Sequence, residues 1–139
     1  VAALADTANA LCRPAKLHFV LQEQWQGQFL CAAPELSRAL ENMLDNAVRY
    51  TPAGGTVTLT ISKAEDTLVF TVTDTGPGFT PEALHKAGQF LYTDAARPGN
   101  GHQGLGLYLA RSVAQAHVGK LVLANTRTGA QVQLCLPMQ

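Results

Sequence analysis

Three things are scarce in this 139-residue chain, and each scarcity excludes something. Net charge is absent: ten Lys plus Arg balance ten Asp plus Glu, so the basic footprint of a nucleic-acid binder is missing and an anionic ligand must be held locally. Long apolar runs are absent as well. None approaches the ~20 residues of a membrane span, and the N-terminus has neither the charged nor the apolar region of a signal peptide, which predicts a soluble piece with no membrane contact of its own. Cysteine is sparse. Cys12, Cys31 and Cys135 are odd in number, widely spaced and without a CxxC pair, so they are read as reduced, mostly buried thiols in a cytosolic setting.

What is present suits one globular domain. The hydrophobic content is 47%, and the length allows a single sizeable core. A start at Val1 rather than Met points to a fragment of a longer protein. There is no internal repeat. VAALADTANAL spaces its apolar residues as a short helix, and LHFVLQ and QFLCA read as strands joined around Gly27. Pro34 opens a helix from about Glu35 to Arg49, with Leu36, Leu40, Met43, Leu44 and Ala47 on one face and TPAGG as its end. TVTLTIS and LVFTVTD alternate as paired strands across KAEDT. TPEALHKAG offers Thr80 as N-cap and Pro81 at the first helical position, Gly88 to Gln103 has no period, and GLGLYLARSVAQAH restores a helix. KLVLANT and AQVQLCL close the chain as a hairpin around Thr128 and Gly129. Strands thus alternate with helices, which predicts an α/β domain with a sheet covered on one face.

Three motifs carry chemistry. In ENMLDNAVRY, Asn42 and Asn46 lie ~40° apart around the helix axis and project together, whereas Glu41 lies ~140° from Asn46 and points elsewhere. Carboxamide oxygens are neutral, hard ligands that suit magnesium when phosphates and waters fill its other positions. In DTGPGF, Asp74 ends a strand, where its carboxylate can accept from an exocyclic amine while Gly76 and Gly78 let the backbone pass a flat ring. In GHQGLGL, Gly104 and Gly106 flank Leu105 at a helix start, where free amides attract phosphate. Neither a dinucleotide fingerprint nor a P-loop is present. Each motif alone also has a plain structural reading: a surface amide, a strand-to-helix turn, a flexible hinge.

In the order NxxxNAxRY, DTGPGF, irregular lid, GLGL, the chain resembles the ATP-binding catalytic domain of bacterial sensor histidine kinases, in the GHKL superfamily with the gyrase, Hsp90 and MutL ATPases. The resemblance runs from about Pro34 to Pro137 and implies a two-layer α/β sandwich, a mixed, largely antiparallel sheet under three helices. It implies that residues 1–139 are a single ATP-binding kinase domain with ATP and magnesium as cofactors. Asn46 would ligate the metal, Asn42 would assist at metal and phosphates, and Arg49 would reach phosphate, these last two being the catalytic candidates. Tyr50 would border the nucleotide and Asp74 would take the adenine amino group. Gly76 and Gly78 would shape the base pocket, Gly104, Leu105 and Gly106 would cradle phosphate, and Phe79, His102 and Leu107 complete the nucleotide-binding set.

ATP-hydrolysing relatives carry a glutamate four residues before the metal-binding asparagine; here Asn42 stands there and Glu41 is one residue out of register. The resemblance therefore implies phosphoryl transfer to a histidine on the dimerisation and phosphoacceptor domain of the same protein, with a response regulator downstream and an inner-membrane parent. A GHKL ATPase with a closing lid and a degenerate nucleotide-binding interaction module are the alternatives. The phenylalanine-rich box is reduced to QFLY with Phe90 or Leu91 as its remnant, and His102 replaces the usual first glycine of the GLGL loop. His18, His85, His102 and His117 all lack the neighbours of a phospho-accepting histidine, and Arg97 is a γ-phosphate contact, a partner contact or a solvated lid residue.

Overall fold

The computed structural model describes residues 2–25, 33–81 and 105–137. Among them are helices α1 (Ala2–Cys12), α2 (Ala33–Tyr50) and α3 (Leu105–Ala116), and strands β1 (His18–Glu23), β2 (Thr56–Ala64), β3 (Thr67–Asp74), β4 (Lys120–Asn125) and β5 (Ala130–Pro137). The expected strand QFLCA, the helix TPEALHKAG beyond Pro81, the irregular lid with Phe90, Leu91 and Arg97, and the residues Cys31, His85 and His102 lie outside the described residues.

The sheet runs β1-β2-β3-β5-β4. Three of its pairings are antiparallel, and β1 lies parallel to β2, with His18 opposite Thr56 and Glu23 opposite Ile61. A parallel neighbour cannot be reached by a tight turn, so the chain crosses over through α2. The β2–β3 register pairs Ala64 with Thr67, which shortens the expected KAEDT turn to Glu65 and Asp66. Side chains alternate along these strands: Leu59, Ile61, Phe70, Val72, Val132 and Leu134 are buried, while Thr58, Thr60, Thr71, Thr73, Gln131 and Gln133 are half-buried on the opposite face. The helices therefore cover one face only, as the alternation predicts.

Helix α2 presents Ala39, Leu40, Met43, Leu44 and Ala47 to the core, the stripe expected of a 3.6-residue period. It begins at Ala33, so Pro34 sits in the first turn, where a missing N–H breaks no helical hydrogen bond. Helix α3 buries Leu107, Ala110 and Ala114, and the two small alanines let it lie close to α2. A cavity of about 260 Å³ is lined by Glu35, Arg38 and Ala39 from the first half of α2 and by Leu109, Ser112, Val113, Ala116 and His117 from the second half of α3 and its end. The two helices are thus antiparallel, and the start of α3 faces the same end of the sandwich as the last turns of α2.

Two helix ends close without glycine. After α1, Leu17 N–H donates to the Cys12 carbonyl at 3.0 Å and Lys16 N–H to the Arg13 carbonyl at 3.1 Å, with Lys16 at φ 59°. After α3, Gly119 N–H donates to the Ala114 carbonyl at 2.7 Å and Val118 N–H to the Gln115 carbonyl at 3.2 Å, with Val118 at φ 57°. Both are Schellman closures with a side chain where glycine is usual. At the second, the glycine falls one residue late because a Cβ at Gly119 would collide with the Cys135 carbonyl oxygen. A β-branched residue in this conformation costs about 1–2 kcal/mol, and Val118 is 83% exposed, so no burial offsets it. Val118→Gly is expected to raise stability by about 0.5–1 kcal/mol in urea unfolding, the relief being partly offset by the looser unfolded chain.

Cys12 and Cys135 are free and buried. Burial raises both thiol pKa values, with the nearby Lys120 charge lowering that of Cys135 by a lesser amount. The unfolded chain releases these protons first, so the stability tied to the protonated thiols is whole below the ordinary thiol pKa of about 8.5 and is lost as pH rises through the raised folded values. The expected result is an alkaline decline in unfolding free energy that becomes shallower in Cys12→Ala.

Candidate functional site

The loop after β3 meets the last turn of α2, which brings Asp74 and Gly76 beside Tyr50. The amphipathic pattern of α2 decides what each side chain meets. Glu41 falls on the exposed face, Asn42 is half-buried, and Asn46 is only 6% exposed. No side-chain hydrogen bond holds the Asn46 amide among the described residues. An amide buried without a partner costs about 1–3 kcal/mol, a cost that structures rarely carry without a ligand or water to relieve it. Arg49 is exposed and lies 3.7 Å from Asp45, an ion pair one turn back with 39% and 32% of the two side chains exposed. A pair so exposed contributes about 0.3–0.5 kcal/mol, so an anion can draw the guanidinium away cheaply. Tyr50 is buried, and the Thr51 hydroxyl donates to the Ala47 carbonyl at 2.6 Å, closing the helix end.

Asp74, 4% exposed, ends β3 beside this helix end. Its Oδ1 accepts from Gly76 N–H at 2.9 Å and from Ala130 N–H at 3.3 Å. One carboxylate oxygen is thereby fixed by two backbone donors, which orients the whole group. Close approach explains the glycine that follows. A Cβ at Gly76 would stand 2.7 Å from the Tyr50 carbonyl oxygen and 3.1 Å from Asp74 Oδ1, so only a bare backbone fits between helix and carboxylate. A Cβ at Gly129, in the β4–β5 turn, would likewise collide with the Asp74 carbonyl oxygen.

The rest of the DTGPGF loop is held by a residue outside every expected motif. Phe79 N–H donates to Asn125 Oδ1 at 2.7 Å, and Asn125 Nδ2 donates to the Phe79 carbonyl at 2.9 Å. Gly78, at φ 80°, passes so near that a Cβ would meet Asn125 Oδ1 at 2.9 Å. Asn125 ends β4, 46 residues along the chain from Phe79, and no local pattern announces such a pairing. Phe79 and Leu107 are both buried in the same hydrophobic core. Leu105 and Gly106 open α3, while His102 and Gly104 lie outside the described residues.

Residues 31–139 match the family model described as histidine kinase-, DNA gyrase B- and HSP90-like ATPase. The chain is 42% identical over 106 residues to the sensor histidine kinase SpaK of Bacillus subtilis, covering 75% of this chain and 23% of that protein. It is 38% identical over 94 residues to the sensor protein QseC of Escherichia coli K12, covering 68% of this chain and 20% of that one. The chain therefore spans about a fifth to a quarter of the length of these relatives. Among solved structures it superposes on a mycobacterial sensor histidine kinase, MprB, with a TM-score of 0.86 at 24% identity over 98% of this chain and 93% of that one. The catalytic domain of the histidine kinase ThkA gives 0.82 at 20% identity, over 99% and 91%. The chain belongs to the histidine kinase-, DNA gyrase B- and HSP90-like ATPase family, and its α/β sandwich is the fold of histidine-kinase catalytic domains.

The Gly76 contact gives a direct test of the site's rigidity. Gly76→Ala is expected to cost about 1–3 kcal/mol in urea unfolding, because the nearest obstructing atom is the Tyr50 backbone carbonyl oxygen, which cannot swing aside. An unchanged midpoint would show that the helix end and the carboxylate are not packed as described.

Proposed function

We propose that this chain is a single ATP-binding kinase domain that holds Mg-ATP and passes the γ-phosphoryl group to a histidine on the dimerisation and phosphoacceptor domain of its parent sensor kinase. The observation that carries the reading is the buried Asn46 amide on α2, without a side-chain partner among the described residues and at the same end of the fold as the fixed carboxylate of Asp74. No group of three His, Cys, Asp or Glu side chains is gathered to hold a metal among the described residues, so a magnesium ion there would be bound by an amide oxygen together with the nucleotide's own phosphates. The residues present fit that demand. Asn46 would supply the ligand oxygen, Asn42 would assist at metal and phosphates, and the ion would neutralise phosphate charge as it develops.

The remaining roles are those that the family resemblance implies. Asp74 would accept from the adenine amino group, with Gly76, Gly78 and Phe79 forming the wall of the base pocket and Tyr50 its border. Arg49 would leave Asp45 for phosphate. Gly104, Leu105 and Gly106 would cradle phosphate and His102 could touch it, since unpaired amides at a helix start favour an anion, while Leu107 would back them from the core. The accepting imidazole nitrogen, supplied by the partner domain, attacks the γ-phosphorus, the bond to the β–γ bridging oxygen breaks, and ADP leaves. Glu41 on the exposed face stands away from Asn46, which supports transfer to histidine over transfer to water. The parent would then hand the phosphoryl group to a response regulator, with this domain on the cytoplasmic side of an inner-membrane sensor.

Calorimetry with the 139-residue chain tests the reading. Mg-ATP is expected to bind, GTP at least tenfold more weakly because its carbonyl would face Asp74, and Asn46→Ala to lose about tenfold in affinity with magnesium but little in excess chelator. Equal loss in chelator would make Asn46 structural. Adding the parent's histidine-bearing domain should yield acid-labile, base-stable phosphate on that domain, and failure of the wild-type chain to bind Mg-ATP would overturn the whole assignment.

A further inference from the structure

The sheet contributes to the candidate site from an unexpected direction. β4 is an edge strand on the far side of β5 from β3, yet Asn125 at its end makes both hydrogen bonds that a backbone residue of a neighbouring strand would make, one accepted from Phe79 N–H and one donated to the Phe79 carbonyl. The β4–β5 turn that follows is itself braced. Thr126 N–H donates to the Gly129 carbonyl at 2.7 Å, and the Thr126 hydroxyl accepts from the N–H groups of Thr128 at 3.2 Å and Gly129 at 3.2 Å. The same turn delivers Ala130 N–H to Asp74 Oδ1. One rigid hairpin end thus grips the two things a base pocket needs: the carboxylate that reads the exocyclic group and the glycine loop that sets how far the ring can slide.

We propose that Asn125 is a positioning residue for base recognition, acting through the Gly78–Phe79 backbone to hold the loop in register with Asp74 and so setting the preference for an adenine over a guanine nucleotide. This rests on the nucleotide-binding reading above. The physical reason is distance. A hydrogen bond from the adenine amine to Asp74 counts only if the opposite wall keeps the ring within about 0.5 Å of its place, and glycine in a positive-φ conformation does not hold itself there. The amide of Asn125 constrains that backbone at two points, with no contact to the nucleotide required.

The substitutions that test it are Asn125→Asp and Asn125→Ala in the 139-residue chain. Asn125→Asp keeps size and the acceptor but sets a carboxylate oxygen against the Phe79 carbonyl; Asn125→Ala removes both bonds. Two readouts are needed. Without nucleotide, hydrogen exchange at the Phe79 amide is expected to speed up about tenfold or more in both variants, as loss of a bond of ordinary strength implies. With nucleotide, competition against a fluorescent ATP analogue is expected to show ATP affinity falling about tenfold and GTP affinity hardly changing, so that the ATP-to-GTP ratio shrinks. A core variant that only loosens the fold, Leu134→Val, should leave that ratio alone.

Unchanged exchange at Phe79, or a ratio that survives both Asn125 substitutions, overturns the role of Asn125 while leaving nucleotide binding intact. A wild-type chain that binds neither nucleotide overturns the nucleotide reading and the specificity role together.

Discussion

A carboxylate buried at the edge of an apolar sandwich must be given hydrogen bonds, or burial costs several kcal/mol, and much of this end of the molecule is arranged to supply Asp74 with them. The donors come from two directions. Gly76 N–H is two residues onward, and Ala130 N–H arrives from the opposite strand of the sheet. For both to reach one oxygen, the chain must turn sharply after β3, the β4–β5 turn must press against it, and side chains must be missing at Gly76 and Gly129. The carbonyl end of α2 closes the third side through Tyr50. The placing of α2, β3 and the final hairpin relative to one another is thereby tied to a single oxygen atom.

Around that fixed point the groups differ in how firmly they are held, and the gradation suits a nucleotide. Asp74 and the glycine loop are held by backbone donors and by Asn125, so the part that would meet a flat ring is rigid. Asn46 is buried with its amide unpaired among the described residues, a cost that a metal or phosphate-bound water would relieve. Arg49 is exposed and weakly paired, free to follow a charged group that varies during a reaction. In the proposed reading a rigid wall would meet the base and yielding electrostatics the phosphates, which suits phosphoryl transfer because positioning dominates its catalysis.

The fold tolerates wide divergence. Identities of 20–24% accompany TM-scores of 0.82–0.86 because the core demands only apolar residues at alternate strand positions and along one stripe of each helix. Val118 and Lys16 occupy left-handed helix ends, and each strain is small beside the whole core.

Periodicity made the secondary structure legible in the sequence. Alternation over TVTLTIS and LVFTVTD, the i, i+4 stripe from Leu36 to Ala47 and the turn residues in TPAGG each report a local energetic preference, and the described elements fall within a residue or two of where those preferences place them. The opposed faces of Glu41 and Asn46 were readable for the same reason, since the angle between two helical positions depends only on their spacing. Sheet order was not: that β1 pairs in parallel with β2 and that β5 inserts between β3 and β4 follow from burying both hairpins under shared helices, a demand no short segment expresses. Nor was Asn125. Its two hydrogen bonds join residues 46 positions apart, and an asparagine at a strand end looks alike in sequence whether it faces water or holds a loop, because its role exists only once the folded chain has brought Phe79 against it.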